Sequence, residues 1–526
     1  MTPRNEHERS RNSLWRETPR VVVSEGTIKT CDFLTADEVD AIAVGVGAPV
    51  LGDDELQPRA GTVHASARYR INLAELAERN HFTAAPGTVH VIDLPVTHPG
   101  SGAVLPWQGL PLRIILMGVG RGTDEELRTA GAALATATRG LKRVVTTVAA
   151  RSDDRGTRHF VEGYLLGAYQ PWNMKNKEER PPAQELVLLG PNSQAAVDDA
   201  QRHARLTWFT RDLAIIPANI KTPRWVATQF TKVAEQHGLL VRTWTEKELV
   251  AQGFGGTYAV GKGSSQKPVF VQVSYTPAQP SKDSKHVVVV GKGITFDTGG
   301  ISIKRPRESM ITMKIDMTGA ASAFAAVVGA AQSKVKHRVS ALIPLAENHF
   351  GAESTRPADV ISVFGGTTVE IANTDAEGRV VMADALAYGA LELKADLLVD
   401  VATLTGAAAM TLGHSHAALI SNDEQWAQAF ESAALETGEY VWKMPLVREY
   451  DNALKSDVAD IRNIPQESAG AGPIVAALFL ERFTHGVPWV HLDIAGPAHR
   501  DKAHHEVNKG PTGFGARIIT HVLENL

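Results

Sequence analysis

The sequence predicts an α/β protein with two domains, each a mixed or mostly parallel sheet flanked by helices, joined by a linker helix. Two observations lead to this fold class. Short β-branched runs alternate with Ala-rich segments of helical periodicity along most of the chain. The 526 residues are also too many for one ordinary hydrophobic core, and the 43% hydrophobic content can fill two.

The first domain is predicted over residues 21–192, after a polar, flexible tail over residues 1–20. A helix is expected over 124–139, and a polar connection over 175–182 leads to the last strand. The other strands are expected where β-branched residues cluster. The predicted strands of this domain are 21–23, 41–46, 88–92, 113–117, 143–148 and 184–189.

The segment 193–215 reads as one linker helix that ends before Pro217, because proline cannot continue a helix. The second domain is then predicted over residues 216–526. Its helices include 317–331 and 380–393, and we expect helices on both faces of its sheet. Its predicted strands are 269–274, 286–290, 339–345, 367–371, 396–402 and 489–494.

Composition favours a cytoplasmic protein. The single Cys31 excludes an internal disulfide framework and fits a reducing compartment. No run approaches the roughly 20 apolar residues of a membrane span, and residues 1–20 lack the apolar core of a secretory signal. The balance of 54 basic against 58 acidic residues indicates no nucleic-acid footprint.

The segment 373–379, Asn-Thr-Asp-Ala-Glu-Gly-Arg, places two carboxylates and an arginine two residues apart. It lies between the predicted strand 367–371 and the helix 380–393, so its side chains can converge at a turn. The amides at a helix N-terminus also favour anions there. Taken alone, the motif fits a simple helix cap equally well.

A second constellation lies about eighty residues earlier and favours a metal site. The segment 291–300 follows the buried-strand run 286–290, so Lys292 and Asp297 are expected at the carboxyl end of a strand, where α/β sheets place ligand sites. Asp316 precedes the helix 317–331. These two aspartates and the two carboxylates of segment 373–379 would be costly to gather unpaired. Two divalent cations would neutralise them.

With these motifs the chain resembles the leucyl aminopeptidase (cytosol aminopeptidase) family of dinuclear metallopeptidases. The blocks arrive in the family's order between about 210 and 500, and the first 190 residues match only loosely. The resemblance therefore places the catalytic domain at the carboxyl end. The matching blocks are 291–300, 313–317, 346–348, 373–379, 402–406 and 469–477.

The resemblance implies two divalent metal ions per subunit, zinc or manganese in first place and cobalt or magnesium as alternatives. The implied ligands are Lys292, Asp297, Asp316, Asp375 and Glu377. Asp297 and Glu377 would touch both ions, and Lys292 would bind as the neutral amine. Lys304 would stabilise the oxyanion that develops, and Arg379 would hold a bicarbonate ion that acts as general base or positions the attacking water.

The implied activity is release of amino-terminal residues from peptides, through a water that two cations share and activate. The family's pocket positions here are apolar, which favours leucine-like residues with broad specificity. They are Met313, Asn373, Thr403, Leu404, Gly406 and the segment 471–474. The resemblance also implies a homohexamer.

Several alternatives compete with this interpretation. A dinuclear phosphohydrolase also uses clustered carboxylates but commonly adds histidines, and a silent structural or DNA-binding relative would lack some ligand. The segment 256–263 nearly spells a P-loop, yet Gly263 stands where a Ser or Thr must bind magnesium. The segment 118–122 is expected to be a tight strand-to-helix turn. Residues 305–312 are one residue longer than the commonest family spacing, which predicts a bulged loop over the site. Arg305 and Arg307 on this loop either alter substrate preference or are solvated surface charges.

Overall fold

The computed structural model describes residues 14–49, 55–98, 103–150, 153–175, 179–467 and 470–526. The chain divides into two compact units. The first holds Glu17–Arg205 and Lys502–Lys509, and the second holds Leu206–Asp501 and Gly510–Leu526 together with the described residues before Glu17. Both units are α/β, as predicted. The predicted domain limits stay a prediction.

The predicted tail over residues 1–20 is described only in part, because residues 1–13 lie outside the described residues. The Trp15 ring lies 5.7 Å from Phe209 and 4.9 Å from His237 between centroids, and Arg16 pairs with the buried Asp212 at 2.6 Å. Apolar and ionic contacts therefore hold these residues on the second unit.

The first unit is built on one sheet whose strands run in the order β1-β7-β6-β2-β5-β4, with β3 pairing β2. The strands are β1 (Arg20–Ser24), β2 (Ala41–Gly47), β3 (Gln57–Pro58), β4 (Val89–Asp93), β5 (Arg113–Gly118), β6 (Arg143–Thr146) and β7 (Glu185–Leu189). The first five strands of that order are mutually parallel, and β4 is antiparallel to β5. Strand β2 is buried along its whole length, which explains its uninterrupted apolar sequence.

The helices of the first unit are α1 (Ala60–Tyr69), α2 (Leu73–Arg79), α3 (Asp124–Ala137) and α4 (Asp154–Gly167). Helix α3 begins with a capping box between Thr123 and Glu126, whose carboxylate also accepts a hydrogen bond from the Arg121 amide at 3.0 Å. Helix α1 begins differently, because Arg59 at its N-cap makes no side-chain capping bond. The segment 118–122 forms the predicted turn between β5 and α3.

Helix α5 (Gln194–Ile215) carries the chain from the first unit into the second and ends two residues before Pro217. It coincides with the predicted linker helix except for Ser193 at its start.

The second unit has a nine-stranded sheet with a parallel centre. Its path is β17-β16-β19-β15-β10-β12-β9-β8, with β11 pairing β12, and smaller sheets join β13-β14-β18 and β20-β21. These strands are β8 (Leu240–Trp244), β9 (Val269–Tyr275), β10 (His286–Gly291), β11 (Gly293–Asp297), β12 (Arg338–Asn348), β13 (Val360–Ser362), β14 (Thr368–Glu370), β15 (Leu397–Ala402), β16 (Ala417–Ser421), β17 (Val441–Lys443), β18 (Ile461–Arg462), β19 (Trp489–Asp493), β20 (His499–Arg500) and β21 (Gly510–Pro511). Strands β19, β15, β10 and β12 are parallel, so their carboxyl ends share one edge.

The helices of the second unit cover this sheet. They are α6 (Pro223–Gln236), α7 (Glu246–Gln252), α8 (Gly255–Gly261), α9 (Thr318–Gln332), α10 (Glu377–Leu391), α11 (Gly406–Leu412), α12 (Glu424–Thr437), α13 (Gly472–Glu481) and α14 (Ala516–Glu524), with 3-10 turns at Arg307–Ile315 and Arg448–Leu454. Helices α9 and α10 are almost wholly buried and both pack on β10, β12 and β15. The Phe230 and Phe324 rings stack at 4.3 Å beneath this layer.

The helical stretch Arg307–Gln332 is long and apolar enough to cross a membrane if length and composition alone are considered. However, 78% of its apolar window is buried inside the second unit. Its hydrophobicity is therefore that of a core helix.

The P-loop-like segment 256–263 is mostly helical, because α8 covers Gly255–Gly261. The buried Asp384 carboxylate accepts hydrogen bonds from the Thr257 amide at 2.7 Å and from the Thr257 hydroxyl at 2.8 Å. A buried carboxylate on these donors leaves no room for a phosphate, so the segment is structural.

Candidate metal centre

The predicted site residues converge at the carboxyl edge of the parallel strands in the second unit. Lys292 directly follows β10, and Asp297 is the last residue of β11. The segment after Lys292 continues as this short strand, which pairs with β12. Asp316 lies two residues before α9, and Glu377 is the first residue of α10, so two helix starts meet the strand ends.

Three carboxylates form the centre of the cluster. Oxygen atoms of Asp297, Asp375 and Glu377 all lie within 4.8 Å of one another, and Asp297 and Glu377 are buried. The fourth predicted ligand, Asp316, lies outside this group of three and joins it through a lysine. The structure therefore brings all four carboxylates to one place, in a three-plus-one arrangement.

Two lysines neutralise part of this charge. The Lys292 ammonium lies 2.8 Å from Asp316 Oδ2 and 2.9 Å from Glu377 Oε1, and it donates a hydrogen bond to the Thr403 carbonyl at 2.9 Å. The Lys304 ammonium lies 2.7 Å from Asp297 Oδ2 and 2.6 Å from Asp375 Oδ1. With every group ionised, four carboxylates against two ammonium groups give a formal charge of −2 in the cluster.

The pKa shifts show the same excess of negative charge. Burial, opposed by Lys292 and supported by the charges of Glu377 and Asp297, raises the pKa of Asp316 to about 8. Burial also raises the pKa of Asp297 and that of Asp375. For Lys292, burial works against the charged form, but the surrounding carboxylates outweigh it and raise the pKa. The pKa values of the carboxyl groups and of the lysine are raised together, which is expected where negative charge exceeds positive charge.

The donor set fits divalent cations. Glu377 Oε2 is buried and has no hydrogen-bond partner among the described residues, although a buried carboxylate oxygen normally has one. Carboxylate oxygens and one amine suit zinc, manganese, cobalt or magnesium. Neither histidine nor cysteine belongs to the carboxylate group, which argues against a dinuclear site that relies on imidazole.

Solvent reaches the cluster from one side. The side chains of Lys304 and Asp375 are 17% and 30% exposed, whereas those of Lys292 and Glu377 are 4% and 2% exposed. A molecule that enters the cleft therefore meets Lys304 and Asp375 first.

Arg379 is close to the cluster but pairs with none of its carboxylates at ion-pair distance. Its Nη1 donates a hydrogen bond to the Asn463 carbonyl at 2.8 Å, and its buried Nε has no partner in the described part of the chain. Burial lowers its pKa to about 10, while the charges of Glu377 and Asp493 act in the opposite direction. A guanidinium with a free buried donor is suited to hold an anion.

Three polar residues that the sequence reasoning assigned no role hold the cluster in place. Asn348 Nδ2 donates to Asp297 Oδ1 at 2.7 Å and to the Thr374 carbonyl at 3.0 Å. The Asn463 amide donates to the Asn373 carbonyl at 2.7 Å, and its oxygen accepts from the Ala372 amide at 2.8 Å. For Asn348 the sequence signal was its place in the matching block 346–348, whereas Asn463 had no such signal.

The third such residue is Asp493, at the carboxyl end of β19. It accepts hydrogen bonds from the Leu404 amide at 3.0 Å and from the Thr405 hydroxyl at 2.7 Å. These bonds fix the loop whose Thr403 hydroxyl donates to Asp316 Oδ1 at 2.7 Å. Its position at a strand end was the available signal.

The residues predicted to form the substrate pocket lie on segments that border the cluster. Asn373 Oδ1 accepts a hydrogen bond from the Asp375 amide at 2.8 Å, and the Met313 carbonyl accepts one from the Asp316 amide at 3.2 Å. Thr403 touches both Lys292 and Asp316. Leu404 packs at the rim of the hydrophobic core, and Gly406 is an exposed residue at the start of α11.

The longer segment between Lys304 and Asp316 folds as a cis Arg305–Pro306 peptide followed by the 3-10 turn Arg307–Ile315. Arg305 and Arg307 are both exposed. They take part in no ion pair within the residues that the structure describes, which agrees with the solvated interpretation of these charges.

One glycine of the motif is required by a close approach. A Cβ atom on Gly378 would lie 2.5 Å from Lys292 Cε and 2.7 Å from its Nζ. The absence of a side chain at 378 therefore makes room for the lysine that bridges Asp316 and Glu377.

Comparison with known proteins matches residues 208–520 to the family described as "Cytosol aminopeptidase family, catalytic domain". A probable cytosol aminopeptidase of Streptomyces avermitilis is 39% identical over 509 residues, 92% of this chain and 95% of that protein. One of Chlorobaculum tepidum is 40% identical over 439 residues, 78% of this chain and 86% of that protein. The bottromycin maturation enzyme BotP in complex with Mn superposes with a TM-score of 0.78 at 32% identity, covering 93% of this chain and 99% of BotP.

We expect Gly378→Ala to weaken metal binding, because the new methyl group would push Lys292 away from Asp316 and Glu377. The expected loss of affinity is about 10- to 100-fold, the usual effect of disturbing the groups that orient metal ligands. The affinity is measured by titration calorimetry, in which Mn²⁺ is added to protein from which metal has been removed with a chelator.

The matched control is Gly406→Ala, whose Cβ would meet no atom within 4 Å. Unchanged affinity in both variants would contradict the role given to the Lys292–Gly378 contact.

Proposed function

The chain belongs to the cytosol aminopeptidase family, and we propose on this premise that it releases amino-terminal residues from peptides at the carboxylate cluster of the second unit, with two bound divalent metal ions. The observation that supports the proposal most directly is the convergence of Asp297, Asp375 and Glu377 within 4.8 Å. In addition, the two lysines that contact the four carboxylates neutralise only half of their formal negative charge.

The proposed ligands divide between two ions. We propose, as the family resemblance implies, that Asp297 and Glu377 each touch both ions. In support, Asp297 contacts Lys304, Glu377 contacts Lys292, and their carboxylate oxygens lie within 4.8 Å of each other. Asp375 completes one half, and Lys292 with Asp316 completes the other. Lys292 must release its proton to act as a ligand, and its backbone and side-chain partners keep the amine directed at Asp316 and Glu377.

Two divalent cations held there would lower the pKa of a shared water, polarise the scissile carbonyl and bind the free α-amine, which accounts for removal of amino-terminal residues. The chain's own contribution begins with Lys304. It is the more exposed of the two lysines, with 17% of its side chain accessible, so its ammonium can meet the oxygen of a substrate carbonyl. We assign it the stabilisation of the oxyanion.

We assign Arg379 the binding of an anion beside the reacting carbonyl, with bicarbonate as the proposed occupant and general base. The support is its free Nε donor and the Asn463 carbonyl that fixes the other side of the guanidinium. In the absence of bicarbonate, the same donor would orient the attacking water.

For specificity we propose leucine and other apolar amino-terminal residues, with broad tolerance. The residues that support this are Met313, Thr403, Leu404, Asn373 and Gly406, among which there is no charged side chain. A pocket of this kind separates side chains that differ by one methylene by about 1 to 3 kcal/mol, so several apolar residues are accepted. We further propose zinc or manganese as the metal, a homohexamer as the assembly and the cytoplasm as the location.

A substrate panel tests the function. We expect cleavage of leucyl and methionyl anilides with kcat/KM about 10-fold or more above glycyl and glutamyl anilides. The chelated protein should regain activity with added manganese or zinc. Phosphate release from an aryl phosphate without cleavage of any anilide would contradict the proposal and favour a phosphohydrolase.

Glu377→Ala should reduce anilide hydrolysis to the level of the metal-depleted enzyme, because it removes a carboxylate that we propose as a ligand of both ions. Glu392→Ala is the matched control, since Glu392 is exposed just after the end of the same helix. Circular dichroism should show both variants folded. Wild-type activity of Glu377→Ala in metal-replete buffer would refute the assignment.

Lys304→Ala should lower kcat by about 100- to 1,000-fold, the usual effect of losing one donor to an oxyanion, while elemental analysis still finds two metals per subunit. The control is Lys336→Ala, which removes an exposed ammonium. Loss of one metal from Lys304→Ala would instead make the lysine a structural member of the cluster.

A further inference from the structure

The first unit contains a cavity of about 630 Å³ that the proposed peptidase reaction does not use. Its volume lies within the roughly 300 to 1,000 Å³ of small-molecule sites. The lining residues come from the segments after all five parallel strands, β1, β2, β5, β6 and β7. The cavity therefore opens at the carboxyl edge of the first sheet.

The topology of this sheet makes the position significant. Strand β2 has β5 on one side and β6 on the other, and the chain passes from β5 to β6 across β2. This reversal is the point at which open α/β sheets bind ligands, because the connections diverge and leave a crevice. Residues after β2, β5 and β6, such as Gly61, Gly122 and Thr147, line the cavity.

The titratable side chains among the described lining residues of the cavity are all basic. Arg59, Arg121 and His64 are among its lining residues, and the described part of the lining contains neither aspartate nor glutamate. Arg59 Nη2 donates a hydrogen bond to the Arg121 carbonyl at 3.3 Å. Within the described ranges neither arginine pairs with a carboxylate. Two guanidinium groups that line the same cavity without a carboxylate partner in the described residues favour an anionic ligand.

The start of helix α1 faces this cavity through Ala60 and Gly61. Its first turn has neither an acidic residue nor a side-chain cap. The Thr62 and Val63 amides donate to the Arg59 carbonyl, which leaves the amides of Ala60 and Gly61 to bind an anion. Helix α3 differs, because Glu126 already accepts from the Arg121 and Thr123 amides. Of the two helix starts, that of α1 is therefore the one open to an anion, and the glycine-rich turn 118–122 supplies Arg121 to the same cavity.

A buried hydroxyl gives independent support. Thr147 lines the cavity and is only 8% exposed, yet its Oγ1 has no hydrogen-bond partner among the described residues. A Cβ atom on Gly61 would lie 1.8 Å from this oxygen, so glycine at 61 keeps the hydroxyl and the helix start together. An unsatisfied buried hydroxyl at the edge of a cavity commonly serves a ligand or an ordered water.

The remaining wall is apolar, formed by Val119, Leu127, Val148 and Leu189. A ligand that matches it has an uncharged ring system at one end and phosphate at the other. We propose that the first unit binds a phosphate-bearing nucleotide of nucleoside diphosphate size, with its phosphates at the start of α1 between Arg59 and Arg121 and its base against the apolar wall.

Calorimetric titration of the metal-loaded, full-length protein tests this proposal, with adenosine diphosphate, adenosine and inorganic phosphate as probes. We expect adenosine diphosphate to bind at least about 10-fold more tightly than either fragment, because only it fills both ends of the cavity. The double variant Arg59→Ala/Arg121→Ala should weaken it by at least about 10-fold. Arg79→Ala, which removes an exposed arginine of α2, is the control.

Leucyl anilide hydrolysis should stay unchanged in the double variant, because both arginines belong to the first unit and none of the cluster residues does. Charge reversal by Arg121→Glu should weaken adenosine diphosphate at least as much as Arg121→Ala. Equal affinity for adenosine would overturn the proposal, as would undiminished binding to the double variant, which would assign the nucleotide to the metal cluster. Absence of binding at millimolar nucleotide would also overturn it.

Discussion

Four carboxylates gathered at one edge of a sheet, three of them buried, repel one another and lose hydration, so the fold around them must supply compensating positive charge. The second unit meets this constraint with Lys292 and Lys304, each placed between two carboxylates. The compensation is incomplete, which is consistent with the divalent cations that we propose for this site. Two helix starts, those of α9 and α10, add their partial positive charge at the same edge.

Much of the surrounding structure serves to hold these charges at fixed separations. Asn348 ties the end of β11 to the loop before α10, and Asp493 ties the loop after β15 to the end of β19. Each uses an amide or carboxylate to bind backbone groups of a different element. The cluster is consequently positioned by the sheet itself, with side chains that act as short cross-links between neighbouring strand ends.

The extent to which sequence predicts this protein depends on the range of the interactions. Buried central strands such as β2 and β10 were predicted because their apolar sequence is continuous, whereas the edge strand β8 has a mostly solvated pattern and carried no such signal. The ligand types were predictable from motifs. Asn463 was not, because it lies ninety-one positions from Ala372, and their contact depends on the parallel pairing of β14 with β18. The cavity of the first unit likewise depends on a strand order that no local pattern encodes.

The contact between Lys292 and Gly378 has a consequence for how such a site can change over evolutionary time. The lysine occupies the space that any side chain at 378 would need, so the two positions are not free to drift separately. If a descendant lost the metal chemistry, selection on the lysine would relax, and a shorter residue there would at once permit a side chain in place of the glycine. Substitutions at 292 and 378 should then accumulate together. A relative that carries both changes could be recognised from its sequence as catalytically inactive.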